Sequence, residues 1–138
     1  MNLQVRILTP DGIVMKRDDI DEVILPTSTG QIAILPQHAT LITALEIGLI
    51  RIRVEDDWTV FIGFGGNATV IENRVQILLS TIESLPKTPV EEIREEAERL
   101  RLRVDQVTER RDKLAAAQQY KKALARLQGV LFLDAVKN

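Results

Sequence analysis

Between Val90 and Gln128 the chain has neither glycine nor proline, and this one stretch holds 10 of its 18 Lys and Arg. The residues before it read as short β-strands punctuated by turns. A segment without backbone breakers is free to run as helix, whereas a strand-rich segment must close a sheet over an apolar face. Two halves built to bury different surfaces describe an interaction device more readily than an enzyme.

A length of 138 residues accommodates one ordinary domain, or a small domain with an appendage. Hydrophobic content of 45% and charged content of 28% are those of a globular protein. With 0 Cys, disulfides, thiolate metal sites and cysteine nucleophiles are excluded together, which fits a reducing compartment. No apolar run approaches the roughly 20 residues of a membrane-spanning helix. Met1-Asn2-Leu3-Gln4 lacks a basic start and an apolar core, so no secretory signal or transit peptide is expected.

Charge divides the chain where texture does. Residues 1–86 hold 6 Lys and Arg against 11 Asp and Glu, and residues 87–138 hold 12 against 9. A β-domain over residues 1–86 and a helical domain over 87–138 are therefore expected. Residues 91–98 contain five Glu and one Arg, and residues 99–126 contain nine Lys and Arg with three acids. Acids early and bases late suit the helix dipole on a solvated face. The same pattern also offers a cationic surface to an acidic partner.

Strict alternation marks half-buried strands. Ile50-Arg51-Ile52-Arg53-Val54-Glu55 shows it most cleanly, Leu3-Gln4-Val5-Arg6-Ile7 repeats it, and so does the segment from Val75. Val23–Leu25, Ile32–Leu35 and Val60–Ile62 are short apolar runs, expected as strands buried on both faces. Turn chemistry separates them at Pro10-Asp11-Gly12, Pro26 to Gly30, Pro36-Gln37-His38, Asp56-Asp57 and Glu72-Asn73-Arg74. Many short strands with close turns predict a sandwich or flattened barrel, not a βαβ sheet. Gly63, Gly65 and Gly66 precede another strand-like run, not a helix, so they predict close sheet packing or a bulge instead of a phosphate loop.

Pro86 and Pro89 bound the helical arm, with Thr88 and Glu91 at capping-box spacing. Val90, Ile93, Ala97, Leu100, Val104 and Val107 make one narrow apolar stripe. It resumes, after an interruption at Arg111, with Leu114, Ala117, Leu124, Leu127 and Leu131. Val104 to Thr108 are mediocre helix formers and mark where the arm can fold into a hairpin, while nothing there forbids a straight helix. Ala115, Ala116, Ala117, Ala123 and Ala125 keep the second segment slim enough for close helix approach. A coiled-coil dimerisation arm is the plainer alternative.

Catalytic material is scarce. His38 is the sole histidine, in a turn, and a contact or structural role is expected of it. Asp18-Asp19 and Asp56-Asp57 are expected in turns, where solvation accounts for them. Glu91, Glu92, Glu95 and Glu96 have no histidine near in sequence to complete a metal set. No nucleophile with a base and an orienting group can be assembled, so neither an enzyme nor a metal or cofactor site is expected. An acidic β half with few aromatics also argues against nucleic acid.

LTPDGIV (8–14), TSTGQIAILPQHATLITALEIGLIRIR (27–53), FIGFGGNATVIENRVQIL (61–78) and the charged arm resemble the epsilon subunit of F-type ATP synthases over the full length. The most specific piece is GQIAILPQHATLITALEIGLIRIR (30–53), in which Ala33 stands where the family commonly has a second glycine. LEIGLIRIRVEDDW (45–58) looks most like plastid and cyanobacterial members. The resemblance implies an α+β chain: a ten-stranded N-terminal β-sandwich followed by a C-terminal two-helix α-hairpin. It also implies a non-catalytic central-stalk subunit of a proton-translocating ATP synthase, coupling c-ring rotation to the catalytic head and inhibiting ATP hydrolysis through its helices.

The implied partners are the gamma subunit, the c-ring and the β-subunits, with the chain peripheral to the membrane through the complex and not inserted in it. The implied place is the stromal side of the chloroplast or a cyanobacterial thylakoid, with a bacterial plasma membrane as the other option. Arg110, Arg111, Lys113, Lys121, Lys122 and Arg126 fall where the family's cationic contacts lie, and Gln31 and His38 are candidates for contact with the c-ring or gamma. Some bacterial members bind ATP through an Ile/Leu-Asp-x-x-Arg-Ala motif. The matching Val90, Glu91, Arg94 and Glu95 put carboxylates beside the phosphates, so weak or absent ATP binding is expected. A free-standing two-domain protein–protein adaptor is the alternative function.

Overall fold

The computed structural model describes residues 1–137. Eight strands precede two helices: β1 (Leu3–Thr9), β2 (Gly12–Ile20), β3 (Glu22–Thr27), β4 (Gly30–Ile34), β5 (Leu41–Val54), β6 (Asp57–Ile71), β7 (Arg74–Leu79), β8 (Ile82–Ser84), α1 (Val90–Gln106) and α2 (Arg110–Lys137). The chain separates into two compact units, one spanning Met1–Ser84 and the other starting at Leu85.

The first unit is a β-sandwich whose strands neighbour one another in the order β2-β1-β7-β6-β5-β3-β4, with β8 on β6. All pairs are antiparallel except β1 with β7. The resemblance implied ten strands, and the structure has eight. The reason lies in β5 and β6, of 14 and 15 residues, each continuous through both layers. Residues 41–45 and 66–71 pair with each other beside β7, whereas residues 51–53 lie beside β3 and residues 61–63 beside β8. Two strands that would each count twice account for the difference.

The passage from one layer to the other occurs at Gly65 and Gly66, with φ of 90° and 154°. A Cβ on Gly66 would stand 1.8 Å from the Leu78 carbonyl oxygen, so only glycine fits. Close sheet packing is what these glycines provide, as expected from the strand on either side of them. Between the layers, Leu3, Val5, Ile7, Ile20, Val23, Leu25, Ile34, Ile50 and Ile77 are wholly buried in one apolar cluster. Each such side chain contributes roughly 1.5–3 kcal/mol on leaving water.

Two local expectations fail here. Ala33 and Leu35 are exposed, so the 32–35 run is buried on one face only. Beta4 pairs only with β3 and forms a sheet edge, which leaves its outer face to solvent. Asp18 and Asp19 lie in β2 and not in a turn, and the Arg17 guanidinium grips Asp19 with Nη2 2.6 Å from Oδ2. That hydrogen bond holds the Asp19 carboxyl below the usual carboxylate range.

The second unit is a helical hairpin. Alpha1 has Pro89 as its N-cap and no side-chain cap. Thr88 is one residue too early, because the helix begins at Val90 and the Pro89 carbonyl accepts the first amides, from Glu92 and Ile93. Ile93, Ala97 and Leu100 are buried as the apolar stripe predicts. On α2 the stripe holds in the middle, where Leu127 packs on the contact, and fails at its ends: Leu114 is 63% and Leu131 41% exposed, while Ala116, Ala123, Ala125 and Gly129 are buried. Ala97, Leu100 and Ala123 form the contact, with Tyr120 and Leu127 at its border. Ala97 and Ala123 are small enough to let the helix axes approach, and as alanines they do little to announce the contact in the sequence.

Candidate functional site

Four ion pairs run along α1. Glu96 with Arg99 and Glu98 with Arg101 are both at 2.6 Å, Arg101 with Asp105 is at 3.8 Å, and Arg94 with Glu91 is at 3.9 Å. All are one helical turn apart, the spacing at which side chains on a helix meet. Hydrogen bonds from Arg99 and Arg101 pull the Glu96 and Glu98 carboxyls below the ordinary glutamate range. Most of the positive charge on α1 is thus answered within α1.

On α2 the balance differs. Arg110, Arg111, Lys113 and Lys121 are exposed and form no ion pair among the described residues. Arg110 and Lys121 lie about three turns apart on one face, and Arg111 and Lys122 share the adjacent face. Lys122 and Arg126 are half-buried. Arg126 sits with Ala123 beside Glu96 of α1, whose charge it helps to hold. The structure therefore places all six cations on α2, directs Arg126 toward the other helix, and leaves four as an open cationic surface.

Of the nucleotide-motif positions, Val90 and Glu91 fall in the first turn, where Glu91 and Glu92 face the positive end of the helix dipole. Arg94 is paired with Glu91 and shares a groove with Glu95 and Tyr120. Among the described residues no group of three or more His, Cys, Asp or Glu is placed to hold a metal ion, and no helix is long and apolar enough to cross a membrane.

In the sandwich, Gln31 lies inside β4, opposite Pro26, and is exposed. His38 lies past the end of that strand, after the turn at Pro36 and Gln37, so the two candidates stand on different elements. The His38 amide donates to the Leu35 carbonyl at 3.1 Å, and Nδ1 lies 2.7 Å from the Ala39 carbonyl oxygen. A carbonyl only accepts, so Nδ1 carries the proton. One residue of this loop assembly escaped the sequence reading. Asn73 accepts at Oδ1 from the Gln37 amide at 2.6 Å, and its own carbonyl accepts from the Gln4 amide at 2.8 Å. Glu72-Asn73-Arg74 signals a turn, but nothing local says which distant loop that turn will hold.

A family model described as the ATP synthase delta/epsilon chain β-sandwich domain matches residues 2–85. The chloroplastic ATP synthase epsilon chain of Thalassiosira pseudonana is 41% identical over 97% of this chain and 100% of its own length. The chain belongs to the epsilon family of ATP synthase subunits. The epsilon chain of Microcystis aeruginosa is 44% identical over 93% of this chain and 94% of its own length. Among solved structures, a chain of the Euglena gracilis mitochondrial ATP synthase superposes with a TM-score of 0.79 at 17% identity, covering 94% of this chain and 81% of that one. A chain from the central stalk and c-ring of the Tetrahymena thermophila enzyme gives 0.63, also at 17%, covering 93% and 96%. These two likenesses establish a shared fold. As a member of the epsilon family, the chain is a structural and regulatory subunit and not a catalyst in its own right.

Proposed function

We propose that this chain is the central-stalk subunit through which a proton-translocating ATP synthase couples c-ring rotation to its catalytic head and restrains ATP hydrolysis. The sandwich, residues 1–86, docks on the rotor; the helical hairpin, residues 87–138, regulates. Gamma and the c-ring meet the sandwich, with Gln31, in β4, and His38, in the loop after it, as the candidate contacts. Acidic loops of the β-subunits meet Arg110, Arg111, Lys113, Lys121, Lys122 and Arg126. The names of the relatives favour the stromal side of a chloroplast or a cyanobacterial thylakoid.

The observation that carries the regulatory part is the allocation of charge. Alpha1 spends most of its cations on its own carboxylates, while α2 keeps four exposed cations unpaired among the described residues. Single exposed pairs contribute about 1 kcal/mol or less, but several acting together bias a two-state arm. Truncation after Ser84 tests this. The apolar cluster of the sandwich lies wholly within residues 1–84, so the truncated chain keeps its core. Retained assembly with faster ATP hydrolysis is expected. Unchanged hydrolysis in an assembled complex would remove the helices from regulation.

A further inference from the structure

The β unit is acidic, yet four of its six basic residues, Arg6, Lys16, Arg17 and Arg74, line one shallow depression of about 590 Å³ with Gln4, Asp18 and Gln76. It lies over β2, β1 and β7. Arg17 is already neutralised by Asp19. Arg6, Lys16 and Arg74 are exposed and have no ion pair among the described residues. Arg6 and Lys16 are direct cross-strand partners, and Arg74 is the partner of Gln4, two residues along β1 from Arg6. Like charges placed directly opposite on an antiparallel ladder are destabilising. The fold tolerates that repulsion in a unit with ample acids to place there instead, and a local conflict of this kind marks a surface kept for something else.

We propose that the outer face of β2-β1-β7, with Arg6, Lys16 and Arg74 as its cations, docks a carboxylate-rich protein surface. This deepens the stalk role and rests on that reading, since it assigns a contact by which the sandwich is held in the complex. A protein surface is favoured over a phosphate ligand by the backbone. Beta1 and β7 are each paired on both sides, so their amides are engaged in the ladders and form no anion-cradling nest. The face is open and extended, and Gln4 and Gln76 add side-chain amides that donate and accept. Such a surface steers association more than it adds affinity.

The test compares the full-length chain with Arg6→Glu/Lys16→Glu/Arg74→Glu and with Arg6→Gln/Lys16→Gln/Arg74→Gln. Binding to a gamma-containing catalytic head depleted of this subunit is followed across a range of salt. The neutral variant guards against misfolding of the charge-reversed one, and thermal melts report on both. An association rate lowered about tenfold, with its salt dependence flattened, supports the proposal. Unchanged rate and salt dependence in a folded variant overturns it, as does weaker binding with the salt dependence intact. Loss of binding to inorganic phosphate or to anionic phospholipid vesicles, with binding to the head retained, also overturns it. Failure of the unaltered chain to bind the head at all would sink the stalk reading itself.

Discussion

Asn73 and Gln37, 36 residues apart, are joined by a 2.6 Å hydrogen bond from a backbone amide to a side-chain carbonyl. Both have left-handed backbone, with φ of 65° and 70°. The β6–β7 turn thereby tethers the loop that carries His38. Asn73→Ala removes the bond, at about 1 kcal/mol, and forces a Cβ-bearing residue without a local polar partner into that conformation, at about 1–2 kcal/mol more. Asn73→Gly relieves the second effect alone. Urea unfolding should rank wild type, glycine, then alanine, and hydrogen exchange at the Gln37 amide should quicken in both variants. Equal stability for the two variants would show that backbone strain plays no part.

Gly66 and Gly30 both have positive φ, but only Gly66 is hemmed in. A Cβ there would meet the Leu78 carbonyl at 1.8 Å, whereas at Gly30 nothing lies within 4 Å. Gly66→Ala should cost more than about 3 kcal/mol or fail to fold, and Gly30→Ala about 1–2 kcal/mol. Similar melting curves for the two would contradict the close approach of β6 and β7.

The contrast between these glycines shows where sequence reasoning reaches and where it stops. Alternation at Ile50–Glu55 and at Leu3–Ile7 locates strands because one buried face imposes a period of two. Gly63, Gly65 and Gly66 were legible as sheet glycines because no helix follows them. The eight-strand count was not legible, since whether a 15-residue strand stays unbroken across a corner depends on partners far along the chain. Leu114 and Leu131 misled for another reason. Hydrophobicity marks what prefers burial, while a tight helix crossing selects what is small, and Ala123 took that place. The six α2 cations were legible as a group. The self-neutralisation of α1 was signalled as well, by acids and arginines three and four residues apart on one helix.

Ala123 is 1% exposed against Ala97 and Leu100. Ala123→Leu overfills that contact and should cost the hairpin about 1–3 kcal/mol. The single tryptophan, Trp58, lies in β6 and reports on the sandwich. Far-ultraviolet ellipticity should therefore melt earlier while the tryptophan transition stays where it was. A shift of both transitions together would refute independent cores.

The Glu96 and Glu98 carboxyls titrate below the ordinary glutamate value of 4.5 because Arg99 and Arg101 hydrogen-bond to their charged forms. A depressed folded value means a contribution fully present above 4.5 and lost as pH falls through the lower, folded value. Both groups are solvent-exposed, so the effect is small and screened by salt. Helicity should decline gently on acidification below the ordinary glutamate value, less so in high salt and less so in Glu96→Gln/Glu98→Gln. An identical acid response in that variant would exclude these pairs as its source.

Beta5 and β6 cross the corner of the sandwich without a break, so its two layers share covalent backbone along their common edge. Twisting one layer must therefore turn the other, since slippage would require breaking two chains and not merely sliding side chains past one another. A body of this kind transmits torque as a single stiff block, which is what the rotor role proposed above requires.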